Sequence, residues 1–235
     1  MSITFIVPCY NAEKIILNTN FKLTKFLKKN KINYKIFYIN DGSKDKTLLK
    51  LEKISNNNIK IFNNQKNLGK SKTIINTLKF VKTGKVVLID CDLPYFNSLK
   101  KIISNLKNNH LVIINRKLNE SNNIGKNFSF YSYVRNFISN FLGIIIEKKL
   151  KLNTLGDTQA GLKAFKMVKG IKKYKFLSKY YFFDVELINF FKKKKLNIKL
   201  VSANFKISQK SSIKIISIKN FKILFEFIKI LFRKY

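Results

Sequence analysis

The sequence predicts an α/β fold, a mostly parallel central sheet with helices on both faces, on three observations. Short runs rich in β-branched residues alternate with helix-period segments through the first half of the chain. That alternation makes βαβ units, whose crossover helices cover both sides of a parallel sheet. At 235 residues, 46% hydrophobic and 14% aromatic, the chain can also bury a sizeable core.

In order, "ITFIVP" reads as a strand, "EKIILNTNFKLTKFLKK" as a helix, "YKIFYIN" as a strand and "KDKTLLKLEKIS" as a helix. "IKIFN" is a third strand, "GKSKTIINTLKFV" a helix and "KVVLID" a fourth strand. Beyond these, "HLVIINR" is a strand, "SFYSYVRNFISNFLGIIIEKK" one or two helices and "DTQAGLKAF" a loop entering a strand. "FDVELINFFKKK" is a helix and "NIKLVSANFKI" a strand. The last stretch, "IKNFKILFEFIKILFRKY", is an amphipathic helix with Lys222, Glu226, Lys229 and Arg233 on one narrow polar stripe. It suits docking on the core or lying in the plane of a membrane surface. The expected division is a body over residues 1–210 and this helix within 211–235.

Charge excludes less than it suggests. The 48 Lys and Arg against 12 Asp and Glu give +36, yet Arg occurs only at 116, 135 and 233, and Lys, Asn, Ile and Phe are heavy together. Such a surface is drawn to anions without specificity. No recognition helix or RNA-binding aromatic signature accompanies it, so a nucleic-acid partner is not expected. The two cysteines, Cys9 and Cys91, imply no disulfide framework. No leader pattern or uncharged apolar run of membrane-spanning length is read, and a cytoplasmic location is expected.

In parallel sheets ligands bind beyond the carboxyl ends of the strands, so the loops "PCYNAE", "NDGSKDKT", "NNQKNLGKS" and "DCDLPY" are where chemistry is expected. All six aspartates fall at strand ends, in short loops or at helix starts. In an extended "DCD", Asp90 and Asp92 share a face while Cys91 points to the core. Two carboxylates held together repel unless a cation sits with them, and Mg²⁺ or Mn²⁺ bridging to phosphate oxygens answers this. A helix-capping role for Asp92 is the plainer alternative. In "NDGSKDKT", Asp45 suits a helix cap and Gly42 a turn, which leaves Asp41 as an acceptor at a strand's end.

"VPCYNAE", "NDGSKDKT", "NLGKS" and "DCDL", in this order, resemble the family 2 inverting glycosyltransferases with the GT-A nucleotide-sugar fold. "DTQAGLKAF" and "FFDVELI" look like the dolichyl-phosphate β-glucosyltransferases and bacterial polyprenyl-phosphate glycosyltransferases. The resemblance implies that Pro8, Tyr10, Glu13 and Asp41 line the nucleotide pocket, with Lys70 approaching it. It implies Asp90 at the ribose or metal-bound phosphate and Asp92 on the metal. Arg116 and Arg135 fall where such enzymes bind donor and acceptor phosphates, and Arg offers the planar fork that suits phosphate. Asp157 lies in an acceptor-side loop shaped by Gln159 and Gly161. The chain departs from the family at Asn40, where many relatives are acidic, and at Pro94, where a Gln or Ser is common.

The activity this resemblance implies is an inverting transfer of a hexose, glucose favoured, from a nucleotide sugar such as UDP-glucose to a polyprenyl phosphate. The enzyme would be peripheral to an anionic cytoplasmic leaflet and would serve envelope glycan synthesis. A phosphate acceptor is largely ionised already, with a second pKa near about 6, and needs no strong base. A sugar-hydroxyl acceptor would need one, and Asp157 is the candidate. A catalytically weakened binding protein is the alternative outside enzymology.

Overall fold

The computed structural model describes residues 2–118, 143–154, 157–203 and 218–233. Seven strands form one sheet in the order β3-β2-β1-β4-β6-β5-β7. β1 is Ile3–Cys9, β2 Tyr34–Asp41, β3 Ile59–Asn64 and β4 Lys85–Ile89. β5 is Leu111–Ile114, β6 Leu162–Lys166 and β7 Ile198–Val201. The helices are α1 (Ile16–Lys29), α2 (Thr47–Glu52), α3 (Lys70–Leu78), α4 (Leu99–Asn105), α5 (residues 143–150), α6 (Phe183–Lys193) and α7 (Ile218–Leu231). The predicted α/β class and mostly parallel sheet are what the structure has. Among the described strands β6 alone runs antiparallel, between β4 and β5.

Strand alternation divides the apolar residues between two cores. Phe5, Val7, Tyr38, Val87 and Ile89 face α1, α2 and α4. Ile6, Phe37, Ile39, Val86 and Leu88 face α3, α5, α6 and α7. Side chains point alternately to opposite faces of a strand, so a strand buried on both sides must be apolar throughout, which is why "ITFIVP" and "KVVLI" read as unbroken runs.

Register sets the active edge. β1 and β2 pair so that Cys9 lies opposite Asn40, and β2 and β3 so that Asp41 lies opposite Asn64. β4 and β6 pair so that Ile89 lies opposite Leu162, which brings Gly161 against Asp90 one step further. The sequence-predicted segment around Arg135 and most of the predicted helix 129–149 lie outside the described residues, as does the end of the last predicted strand.

Candidate active site

The loop after β4 carries the paired aspartates, and its geometry corrects the extended reading. The strand ends at Ile89, and residues 90–93 form a turn closed by the Leu93 amide donating to the Asp90 carbonyl at 3.0 Å. Leu93 takes φ 52°, a left-handed value that a branched side chain adopts only when its surroundings enforce it. Thr19 of α1 supplies part of that enforcement, donating its hydroxyl to the Cys91 carbonyl at 2.6 Å. Cys91 still packs into the core, as the alternation predicted, while Asp92 is exposed.

Asp90 is held from two sides. The Lys70 ammonium lies 2.6 Å from Asp90 Oδ1. Behind it, a Cβ built on Gly161 would stand 1.9 Å from Asp90 Oδ2, so only a glycine lets the chain pass this carboxylate. Pro8, Lys70, Asp90, Gly161, Lys163 and Asp184 line one small recess. Lys163, only 1% exposed, lies 3.2 Å from Asp184, and its Nζ also donates to the Ala160 carbonyl. Burial pulls the Lys163 ammonium down, opposed by Asp184 and reinforced by the neighbouring charge of Lys70. For Lys70 burial acts in the same direction, but the charges of Asp90 and Asp184 more than reverse it and hold the ammonium well above its usual range.

The Asp92 carboxyl is raised, first by desolvation and then by the charge of Asp90. A carboxylate that is penalised by its neighbour is relieved by a cation, and hard oxygen donors of this kind suit Mg²⁺ or Mn²⁺. Asp90 and Asp92 therefore fit a divalent ion, completed by water and substrate oxygens. Among the described residues no cluster of three or more His, Cys, Asp and Glu forms, and Pro94 adds no donor atom.

Asp41 has a different setting from the one its strand-end position suggested. It is 4% exposed. Its carboxylate accepts from Asn64 Nδ2, the Leu68 amide, the Gly69 amide and Thr73 Oγ1 at 2.8–3.0 Å. It thus ties the loop after β3, and the start of α3 with Lys70, to the end of β2. Gly69 adopts φ 93°, and a Cβ there would meet the Lys179 carbonyl oxygen at 2.6 Å. Asn40 likewise bonds inward, to Asn63 at 2.8 Å and from the Ser43 amide at 3.2 Å. Glu13 accepts from the Lys46 amide at 3.0 Å, and its own amide donates to Asp45 at 3.1 Å. Asp45 also accepts from the Thr47 amide at 3.0 Å, so it does cap the start of α2 from one residue further out. Tyr10 is exposed at the same edge.

Arg116, just past β5, binds Asp157 through Nη2 at 2.6 Å and Nε at 3.1 Å, and its backbone amide donates to the same carboxylate. Asp157 is 2% exposed. Burial alone would raise its carboxyl, but the hydrogen bonds and charge of Arg116 hold it below the usual carboxylate range. Gln159 is exposed beside it. Gly161, which the sequence placed with this loop, belongs to Asp90 in space. The pairing of Lys163 with Asp184 is a site feature that sequence reasoning missed. The available signal was a lysine inside the apolar run "GLKAF", easily lost in so lysine-rich a chain.

A seven-stranded, mostly parallel sheet with one antiparallel insertion and helices on both faces is the GT-A class of α/β fold. The family model described as glycosyl transferase family 2 matches residues 4–167, and the chain belongs to that family. It is 28% identical, over 91% of this chain and 68% of the relative, to the dolichyl-phosphate beta-glucosyltransferase of Trichomonas vaginalis. It is 36% identical to an uncharacterized glycosyltransferase of Synechocystis over 40% of this chain, a stretch that spans only 30% of that relative's length. Among solved structures, the UDP complex of glucosyl-3-phosphoglycerate synthase from Mycobacterium tuberculosis matches with TM-score 0.69 at 15% identity, covering 98% of this chain and 80% of that one. The same enzyme with Mn²⁺ and UDP-glucose matches with TM-score 0.65, also at 15% identity, over 98% of this chain and 76% of that one.

Proposed function

We propose that this protein is an inverting glycosyltransferase that moves a hexose, glucose favoured, from a nucleotide sugar to a polyprenyl phosphate. The observation that carries the acceptor assignment is the state of Asp157. A carboxylate clamped by a guanidinium and held below its usual range is a poor proton acceptor. A sugar hydroxyl would need a base there, whereas a phosphate monoester, with a second pKa of about 6, arrives largely ionised. The dolichyl-phosphate relatives of Trichomonas and Dictyostelium, similar over 91% and 86% of this chain, support the same choice.

In this reading Asp90 and Asp92 hold a Mg²⁺ or Mn²⁺ ion, which would neutralise the leaving diphosphate. Lys70 adds a second positive charge beside Asp90. Pro8, Tyr10, Glu13 and the Asp41-ordered loop frame the nucleotide, UDP by analogy with the mycobacterial synthase complexes. Asp157 acts by fixing the Arg116 fork, and Arg116, with Arg135 from outside the described residues, steadies the phosphates through attack on the face opposite the diphosphate.

Membrane contact completes the proposal. No helix among the described residues is long and apolar enough to cross a membrane. On α7 and the residue after it, Phe225, Ile228 and Phe232 are 60%, 44% and 72% exposed, while Phe227, Ile230 and Leu231 pack into the second core. The helix therefore docks and also offers an apolar ridge, beside Lys229, to an anionic cytoplasmic leaflet. The division into a catalytic body of residues 1–210 and a membrane-facing helix within 211–235 is part of this proposal.

The test is a panel of nucleotide sugars offered with polyprenyl phosphate and Mg²⁺ or Mn²⁺. Product extractable into organic solvent with one donor is expected. Transfer to a sugar hydroxyl, with none to the lipid phosphate, would overturn the acceptor assignment.

A further inference from the structure

Part of the predicted polar stripe of the C-terminal helix turns inward, at Glu226 and Arg233, while Lys229 stays exposed. Glu226 is buried, and its carboxylate accepts from the Tyr180 amide at 3.0 Å, the Phe182 amide at 3.4 Å and the Ser178 hydroxyl. Glu186 of α6, also buried, takes the amides of Leu177 and Ser178 at 2.9 and 2.8 Å and is held in turn by Arg233, just past α7, at 2.7 Å. Two glutamates thus collect four amides, those of Leu177, Ser178, Tyr180 and Phe182, from one short segment. Backbone N–H groups left unpaired in a buried segment are costly, so these acceptors fix its path.

The opposite side of that segment abuts the donor edge. The carbonyls of Lys179 and Tyr180 accept the amides of Lys72 and Ser71 at 2.9 and 3.2 Å. These are amides of the first turn of α3, which has no partner for them within the helix. The Phe183 amide bonds Ser71 Oγ at 3.2 Å, and Gly69 is pressed against the Lys179 carbonyl. α3 begins at Lys70, whose ammonium rests on Asp90.

We infer that Glu226 is a positioning residue for the donor site. From the C-terminal helix it sets segment 177–182, which caps the first turn of α3 and so places Lys70 against Asp90. This rests on the reading of Lys70 as a donor-site residue, and it makes α7 part of the nucleotide-sugar site as well as a membrane face.

The experiment compares Glu226→Gln with wild type in the full chain, with and without Lys70→Met. Gln keeps the length but presents an NH₂ to backbone donors. Amide hydrogen exchange at Ser71 and Lys72 should quicken while β1 and β4 stay protected. Affinity for UDP with Mn²⁺, measured by calorimetry on folded protein, should fall about tenfold, the loss of one hydrogen bond to a charged group. In the Lys70→Met background the same substitution should change affinity little, because it acts through Lys70. Unchanged exchange at 71–72, or an equal loss in both backgrounds, would overturn the inference. If wild type binds no nucleotide, the donor reading fails, and the exchange result still decides whether Glu226 braces α3. Should Glu226→Gln not fold, Ser178→Ala, which removes the hydroxyl between Glu226 and the Phe182 amide, carries the same comparison.

Discussion

Replacing Gly161 by Ala tests the carboxylate arrangement with a single methyl group. The added Cβ would lie 1.9 Å from Asp90 Oδ2 and 2.5 Å from its Cγ, where ordinary contact begins near 3.4 Å. Asp90 must therefore retreat by about 1.5 Å, since the rigid backbone at the start of β6 leaves the new methyl no room to move instead. The retreat breaks the 2.6 Å contact with Lys70 and moves Asp90 from its place at the end of β4. A misplacement of about 1 Å at reacting groups costs on the order of 10²-fold, equivalent to about 2.7 kcal/mol of transition-state stabilisation. Stability should change far less, because the Lys70–Asp90 pair is partly exposed and contributes only about 0–1 kcal/mol, a shift of up to about 4 °C for a chain of this size. The assay pairs thermal unfolding with donor-dependent transfer. A Gly161→Ala protein that folds and retains wild-type kcat/KM would refute the placement of Asp90 at the centre of the site. The Asp90→Ala background supplies the internal control: with the carboxylate gone, Gly161→Ala should add nothing.

Asp41→Asn should cost about 2–3 kcal/mol, because an NH₂ would face donors in a buried pocket, and chemical denaturation reads this directly. Asp157→Asn should cost a similar amount, since it leaves Arg116 with half a partner. Its folded pKa is depressed, so the stability it adds is present above the unfolded value near about 3.9 and is lost as pH falls through the lower folded value. The Asn variant should therefore show a flatter stability profile below about pH 4 than wild type, and equal slopes would argue that the pair contributes nothing. Transfer to lipid phosphate should decline with acidification around about pH 6, as the acceptor itself protonates. A profile set instead by a group titrating several units lower would implicate a protein base. Changing Phe225, Ile228 and Phe232 together to Ser should abolish flotation with anionic vesicles while leaving the melting temperature nearly unchanged, and vesicle binding that survives would remove α7 from the membrane contact.

Much of this architecture is legible because it is local. Strands buried on both faces must be apolar at every position, and the loops at their carboxyl ends stand out by contrast, so β1 to β4 and the place of the D-x-D pair can be read directly, though not its turn. The direction of β6 cannot, because "GLKAF" has the same composition whichever way it runs, and its antiparallel insertion is a tertiary choice. That choice is what brings Gly161 to Asp90 from 71 positions away in the sequence, a contact no spacing encodes. Leu93 is a smaller case: φ 52° is imposed on a leucine by the pinned Cys91 carbonyl and the closing bond to Asp90, against its own preference.

The stripe of α7 shows why amphipathic patterning can mislead about direction. Periodicity says which residues share a face, but not whether a polar face meets water or a set of unpaired backbone amides. Here the half-buried segment 177–182 turns amides toward the core, and a carboxylate is the acceptor that pairs with several at once. Glu226 and Glu186 go inward for that reason, and Arg233 follows to pair with Glu186. Burial raises the Glu186 carboxyl even so, against the pull of the two amides and Arg233. The apolar ridge is then left outside, where water is a poor partner for Phe225 and Phe232 and a lipid surface is a good one. The helix that meets the membrane in this reading is thus the one that carries the carboxylate bracing α3, so membrane contact and the position of Lys70 share one element.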